Sequence, residues 1–292
     1  MTLPTFTLEG TQFPRIILSA QSPASDRDLP GFMKRLYAMG VWAMDLPTKR
    51  HLECFRELKR LTEDSRLLGL CHARAEEGIS FSGKPIHWLE SKITATVKRN
   101  IVPSELRREF FPDTSAGEIL TQKEIDRIAF DPSRFDQVLS SFRPEESRFL
   151  LVGGKYSDWL LGLGRFDLLK AMVTRVRERG FIPIFAGQWT TFILPKAKPL
   201  DTAAYAVPIN KRWSHFNFDQ ACTLIKKFDR PVISLKPLAE GQLLSDPAEA
   251  FSFLFKELKI ACALAEVASE EEARTILKAV ESFPSLNPYR KT

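Results

Sequence analysis

Three side chains in this 292-residue chain stand where proton chemistry is done, each at the end of an apolar run. Asp45 follows Val41-Trp42-Ala43-Met44, His72 follows Leu67-Leu68-Gly69-Leu70-Cys71, and Lys236 follows Val232-Ile233-Ser234-Leu235. A carboxylate, an imidazole and an amine at the rim of one core make a general acid–base set, and a crowded lysine is also a Schiff-base former. Each has a plainer alternative. Asp45 also suits the positive end of a following helix, His72 a hydrogen-bonded strand end, and Lys236 a counter-ion for Asp45 or Glu266, or a chain reaching to water. Beside them, further run-ends carry Ser19 and Gln21, Arg74, Lys155, Gln188, Asn210, Arg212 and Glu266. Arg74, Lys155, Arg212 and Lys236 together predict a small, polar, anionic ligand.

Those residues need a scaffold that brings run-ends together. Eight apolar runs start near residues 15, 41, 66, 148, 181, 204, 231 and 260. They are continuous rather than alternating, as for parallel strands covered on both faces. Apart from one gap of about 80 residues, they recur every 23 to 33 residues, one βα unit each. Eight such units predict a single α/β domain over 1–292, a (β/α)8 TIM barrel, with ligands at the C-terminal ends of its strands. A doubly wound sheet would carry a Gly-rich first turn, which Ser19-Ala20-Gln21-Ser22-Pro23 is not. The long gap places a helical insertion, about 74–147, between strands 3 and 4, either a lid or a helix pair packed on the barrel's side. Spacing of Ile86, Leu89, Ile93 and Val97 predicts a helix over Lys84 to Ile101, and Thr121 with Glu124 predicts a capped helix over Thr121 to Ile128.

With the units in place, the chain resembles a divergent aldo-keto reductase. Phe6 to Ile16 resembles the N-terminal β-hairpin that plugs that barrel, and Gly40-Val41-Trp42-Ala43-Met44-Asp45 matches the family's segment ending in its catalytic aspartate. Phe166 to Gly187, Tyr205 to Asn210 and Val232 to Leu243 resemble its later units, and Ser269 to Val280 resembles the helix that closes on the cofactor phosphate. The resemblance implies the fold, an NADP cofactor and an oxidoreductase-type site. The functional positions depart from it. Of the Asp-Tyr-Lys-His tetrad only Asp45 is kept: Arg50 replaces the tyrosine, Cys71-His72-Ala73-Arg74 lacks the lysine, and Val152-Gly153-Gly154-Lys155 lacks the histidine. Gly187-Gln188, Ala206 and Leu235 replace the residues that hold the nicotinamide. A standard carbonyl reductase is therefore not expected. An enzyme on this barrel would be a lyase, an isomerase or a divergent NAD(P)H oxidoreductase. In the last, Gln188, Asn210 and Arg274 would hold the cofactor, with His72 or Lys236 as proton donor. A non-catalytic metabolite sensor or scaffold is the remaining alternative. Ser269 and Arg274 have the family's phosphate spacing, yet Ser269-Glu270-Glu271-Glu272 reads as a capping box whose carboxylates repel phosphate.

Other classes are excluded or unsupported. His51, His72, His87 and His215 are dispersed, so no metal is expected. Gly153-Gly154-Lys155 and Gly162-Leu163-Gly164 fit no phosphate-binding loop, and there is no G-x-S-x-G elbow. The net charge of +6 is mild for this length. The basic excess over 84–111 reads as a solvated helix face, not a nucleic-acid groove. No apolar run approaches the ~20 residues of a membrane span, and Met1 to Phe6 lacks a secretory signal's pattern. Four scattered cysteines fit a reducing cytoplasm.

Overall fold

A computed structural model describes residues 3–21, 28–100, 118–215 and 217–286. Its strands are β1 (Thr5–Leu8), β2 (Thr11–Pro14), β3 (Ile16–Ala20), β4 (Ala43–Leu46), β5 (Leu68–Arg74), β6 (Ile79–Phe81), β7 (Lys84–Pro85), β8 (Ile128–Phe130), β9 (Phe149–Gly153), β10 (Ile182–Ala186), β11 (Ala204–Pro208), β12 (Val232–Leu235) and β13 (Cys262–Val267). The eight apolar runs become β3, β4, β5, β9, β10, β11, β12 and β13, which close in that order into an all-parallel barrel, β13 pairing with β3. Helices such as Lys49–Thr62, Phe166–Glu178 and Glu270–Glu281 lie outside.

Alternation within each strand divides the core in two. Side chains of one parity, among them Ile17, Leu70, Phe149, Ile184, Ile233 and Leu264, fill the lumen, and the others pack outward under the helices. β1 and β2 form the antiparallel hairpin, which drives Phe6 and Phe13 into the lumen from below. Phe13 meets Phe6 and Phe149 edge-to-face, with centroids 5.4 and 4.8 Å apart. One end of the cylinder is thereby sealed with aromatic side chains.

The closing seam has its own clamp. Arg15 is buried, its guanidinium donating to the carbonyls of Ile260 (3.1 Å), Ala261 (3.3 Å) and Pro284 (3.0 Å) while lying 4.2 Å over the Phe255 ring. Leu286 N donates to Thr5 O at 2.7 Å, tying the far end of the chain to the hairpin.

The insertion between β5 and β9 is more than helical. β7, β6 and β8 form a small antiparallel sheet. The helix expected from Lys84 begins later, at Glu90, and runs to Asn100. The reason is local: Ser82 and Gly83 take left-handed φ of 49° and 79° and turn Lys84–Pro85 back onto β6, and Ile86–Leu89 then forms a 3-10 turn. The Thr121 capping box is formed as expected, over the helix Gln122–Asp126. Helix Glu90–Asn100 packs on Lys155–Gly162, and Glu90 joins them by accepting from Lys155 Nζ (2.5 Å) and Tyr156 OH (2.9 Å). No helix among the described residues is long and apolar enough to cross a membrane.

Candidate active site

Extending the inward parity to the strand ends names the rim: Ser19, Asp45, His72 and Arg74, Gly153, Ala186, Leu235 and Glu266. They surround a cavity of about 370 Å³ with an apolar floor of Leu151 and Leu264. Register explains why the polar groups meet. Ser19 lies beside Asp45 on adjacent strands, Asp45 lies beside Leu70, and His72 is the next inward residue above Leu70.

Asp45 is 3% exposed, so its charge must be answered by donors rather than by water. Ser19 Oγ donates to Oδ2 at 2.8 Å, and His72 Nε2 lies 2.6 Å from Oδ1. This bond fixes the imidazole with its proton on Nε2, leaving Nδ1 as the basic nitrogen. Nδ1 has no hydrogen-bond partner among the described residues. The result is an oriented imidazole backed by a buried carboxylate, with one-fifth of its side chain exposed.

The cations divide. Arg74 lines the cavity; its backbone N donates to Glu77 Oε2 at 2.8 Å, and its guanidinium makes one long bond, 3.4 Å, to Pro47 O. Lys155 lines it too, paired with Glu90 and 4.7 Å over the Trp159 ring. Lys236, in the left-handed region at φ 55°, faces the same cavity, but its ammonium pairs with Glu240 of its own turn. Gln188 completes the wall. The fold thus brings Asp45, His72, Lys236, Arg74, Lys155, Gln188 and Glu266 around one hollow.

Four expected residues lie elsewhere. Asn210 is fully buried and spends its amide on the loop: Nδ2 donates to Lys236 O, and Oδ1 accepts from Arg212 N and Trp213 N. Arg212 donates to Gln242 Oε1 at 2.5 Å. Ser269 caps its helix by accepting from Glu272 N at 3.1 Å, and Glu272 caps Ala268 N. Arg274 pairs with Glu270 at 3.4 Å. Arg50, at the tyrosine position, is exposed on helix Lys49–Thr62 with Glu53 as its neighbour at 3.9 Å.

One buried carboxylate has no counterpart in the sequence reading. Asp158, wholly buried in helix Lys155–Gly162, accepts from Gln188 N and Trp189 N at 2.8 Å each. Burial pushes its pKa up to about 7, outweighing those two donors. It holds the β10 turn that carries Gln188. Only its place in a first helical turn marked it, and that place is common.

NADP would have to lie between the mouth and the Glu270–Glu281 helix. A groove of about 240 Å³ leads from the mouth toward the Glu270–Glu281 helix, sharing Gln21, Lys236 and Glu266 with it. Its charged lining is Lys236 against Glu240, Glu266 and Glu272. At its end the helix's first turn holds Glu270, Glu271 and Glu272, with Ser269 engaged as the cap and Glu270 bridged by Arg35 (2.7 Å) and Arg274 (3.4 Å). A pyrophosphate lying along the groove would meet three glutamates against one lysine, and Glu271 and Glu272 at the helix start. These residues do not fit the cofactor. Among the described residues no group of three or more His, Cys, Asp or Glu side chains is arranged to hold a metal ion.

No protein-family model matches this chain, and no curated protein matches it. Solved structures do. The aldo-keto reductase of Bacillus halodurans in its holo form aligns with a TM-score of 0.59 at 11% identity, over 97% of this chain and 92% of that one. An aldo/keto reductase from Brucella melitensis aligns with a TM-score of 0.56 at 11% identity, over 97% and 95%. The chain therefore has an aldo-keto-reductase-like barrel, with highly divergent sequence.

Proposed function

We propose that this barrel is a small-molecule enzyme that moves a proton on a small anionic substrate, not a nicotinamide-dependent carbonyl reductase. The observation that carries the reading is the Asp45–His72 pair, 2.6 Å apart in the wall of the mouth cavity. Nδ1 of His72 takes a proton from a carbon beside a carbonyl or carboxylate. The C–H bond breaks, an N–H bond forms, and the electron pair passes to the substrate oxygen. Arg74 stabilises the charge that develops there. Asp45 stabilises the imidazolium. Where the deprotonated carbon carries a hydroxyl, returning the proton to the former carbonyl carbon, while the hydroxyl proton passes to the former carbonyl oxygen, gives an isomerase; giving it to a departing group on the adjacent carbon gives a lyase. Lys155 and Gln188 orient the substrate, and Lys236 with Glu240 borders it. The cysteines Cys54, Cys71, Cys222 and Cys262 are all free, which supports a reducing compartment such as the cytoplasm.

The test is exchange of carbon-bound hydrogen for deuterium, followed by NMR in D2O over a panel of 2-oxo and 2-hydroxy acids. The wild-type protein exchanges at least one member, and His72→Gln loses about 10²–10⁴ of that rate. Equal exchange by the variant overturns the role of His72. Saturable micromolar NADPH binding with substrate reduction would instead establish the reductase reading, which the acidic groove opposes.

A further inference from the structure

The mouth is not the only space that His72 borders. A second cavity of about 570 Å³ lies between the turn after β4 and the insertion helix Pro132–Leu139, and Pro47, His72 and Arg74 form its common wall with the mouth. We propose that the substrate is an anionic amphiphile: its reacting end enters the mouth, and an apolar part bearing a second acidic group lies in this groove. The inference rests on the acid–base reading of His72 for which end reacts, and on the groove alone for the ligand's class.

Composition of the groove argues for that class. Leu46, Leu52, Val138 and Phe142 give it an apolar lining. Lys49, Arg74 and Arg134 bring three cations against the single carboxylate of Glu77. The ammonium of Lys49 and the guanidinium of Arg134 have no ion-pair partner among the described residues, unlike Lys155 and Lys236 at the mouth. One oxygen of Glu77 is already taken by the Arg74 N–H. Charge also sets the direction. The groove on the opposite side, toward the Glu270–Glu281 helix, holds one lysine and three glutamates and turns an anion away. An acidic substrate leaving the mouth therefore extends over the β4 turn, and its apolar part lies under the insertion.

Binding is measured by fluorescence with 8-anilinonaphthalene-1-sulfonate, and with the uncharged N-phenyl-1-naphthylamine as its neutral counterpart. The sulfonate binds saturably, and Lys49→Ala and Arg134→Ala each weaken it about 5-fold, the equivalent of ~1 kcal/mol. The neutral probe binds more weakly and ignores both changes, and Glu272→Gln, at the far end of the opposite groove, leaves sulfonate binding as it was. Nitrogen NMR shows the His72 resonance, identified by its loss in His72→Gln, shifting on saturation. Absence of binding, unchanged affinity in both variants, equal binding of the neutral probe, or an unmoved His72 signal overturns the proposal. Sulfonate binding that holds while deuterium exchange fails refutes the chemistry given to His72 and leaves the groove's assignment standing.

Discussion

Asp158 offers the sharpest quantitative test. Its carboxyl titrates near neutrality in the folded chain against an ordinary value of 3.8. Below pH 4 the folded and unfolded chains both hold its proton, and above pH 7 both have released it. Between, the folded chain keeps a proton that the unfolded chain has lost, so stability falls as pH rises through this window. About three pH units at ~1.4 kcal/mol each make the contribution on the order of 4 kcal/mol. Asp158→Asn removes the titration. It also leaves one of the Gln188 and Trp189 N–H groups without its acceptor, at a cost of about 1–3 kcal/mol that does not vary with pH. Carboxylates held low by partners, such as Asp64 at about 2, lose their stabilising effect only at more acidic pH. His215, pushed down by burial, is common to both proteins and cancels in the difference. Urea unfolding followed by circular dichroism at pH 4.5, 6 and 8 supplies the numbers. Wild-type stability should fall relative to the variant by several kcal/mol across that range. A constant difference between the two proteins refutes the reasoning. So does a carboxyl carbon signal for Asp158 that titrates near 4.

Other perturbations separate the site from its scaffold. Asp45→Ala leaves Ser19 Oγ and His72 Nε2 without their acceptor; exchange should fall at least 10²-fold, with a stability loss of about 1–3 kcal/mol by urea unfolding. Phe13→Ala empties the bottom plug and should cost about 3–5 kcal/mol by the same measure, while probe binding in the groove is retained. Gly153→Ala should lower the melting temperature and the exchange rate together. At φ 115° its Cβ would lie 2.3 Å from Ser157 Oγ and 2.6 Å from the carbonyl oxygen of Ala186, on the cavity wall.

The barrel was legible in sequence because parallel strands buried on both faces leave unbroken apolar runs, and all eight were strands. The site was half legible. A polar side chain at the end of an apolar run marks a strand's C-terminal end, and that signal is present at Asp45, His72, Arg74 and Glu266. Pairing is set instead by register and turns. Nothing in the sequence states that Asp45 lies beside Leu70 and so beneath His72. Glu240, four residues after Lys236, carried a readable signal of its pairing; Glu90, 65 residues before Lys155, did not. Asn210 and Arg212 sit just past β11, where the chain turns on the Asn210 amide instead of continuing the inward alternation.

The seam between β3 and β13 joins strands about 250 residues apart, and its clamp draws on Arg15, Ile260, Ala261 and Pro284. During synthesis, then, seven strands wait with two raw edges until the eighth leaves the ribosome. Such distant pairing is slow, and unpaired edges recruit neighbouring chains. Loss of the short stretch holding Pro284 to Leu286 would remove the carbonyl that Arg15 meets and the bond to Thr5, and so loosen the final latch.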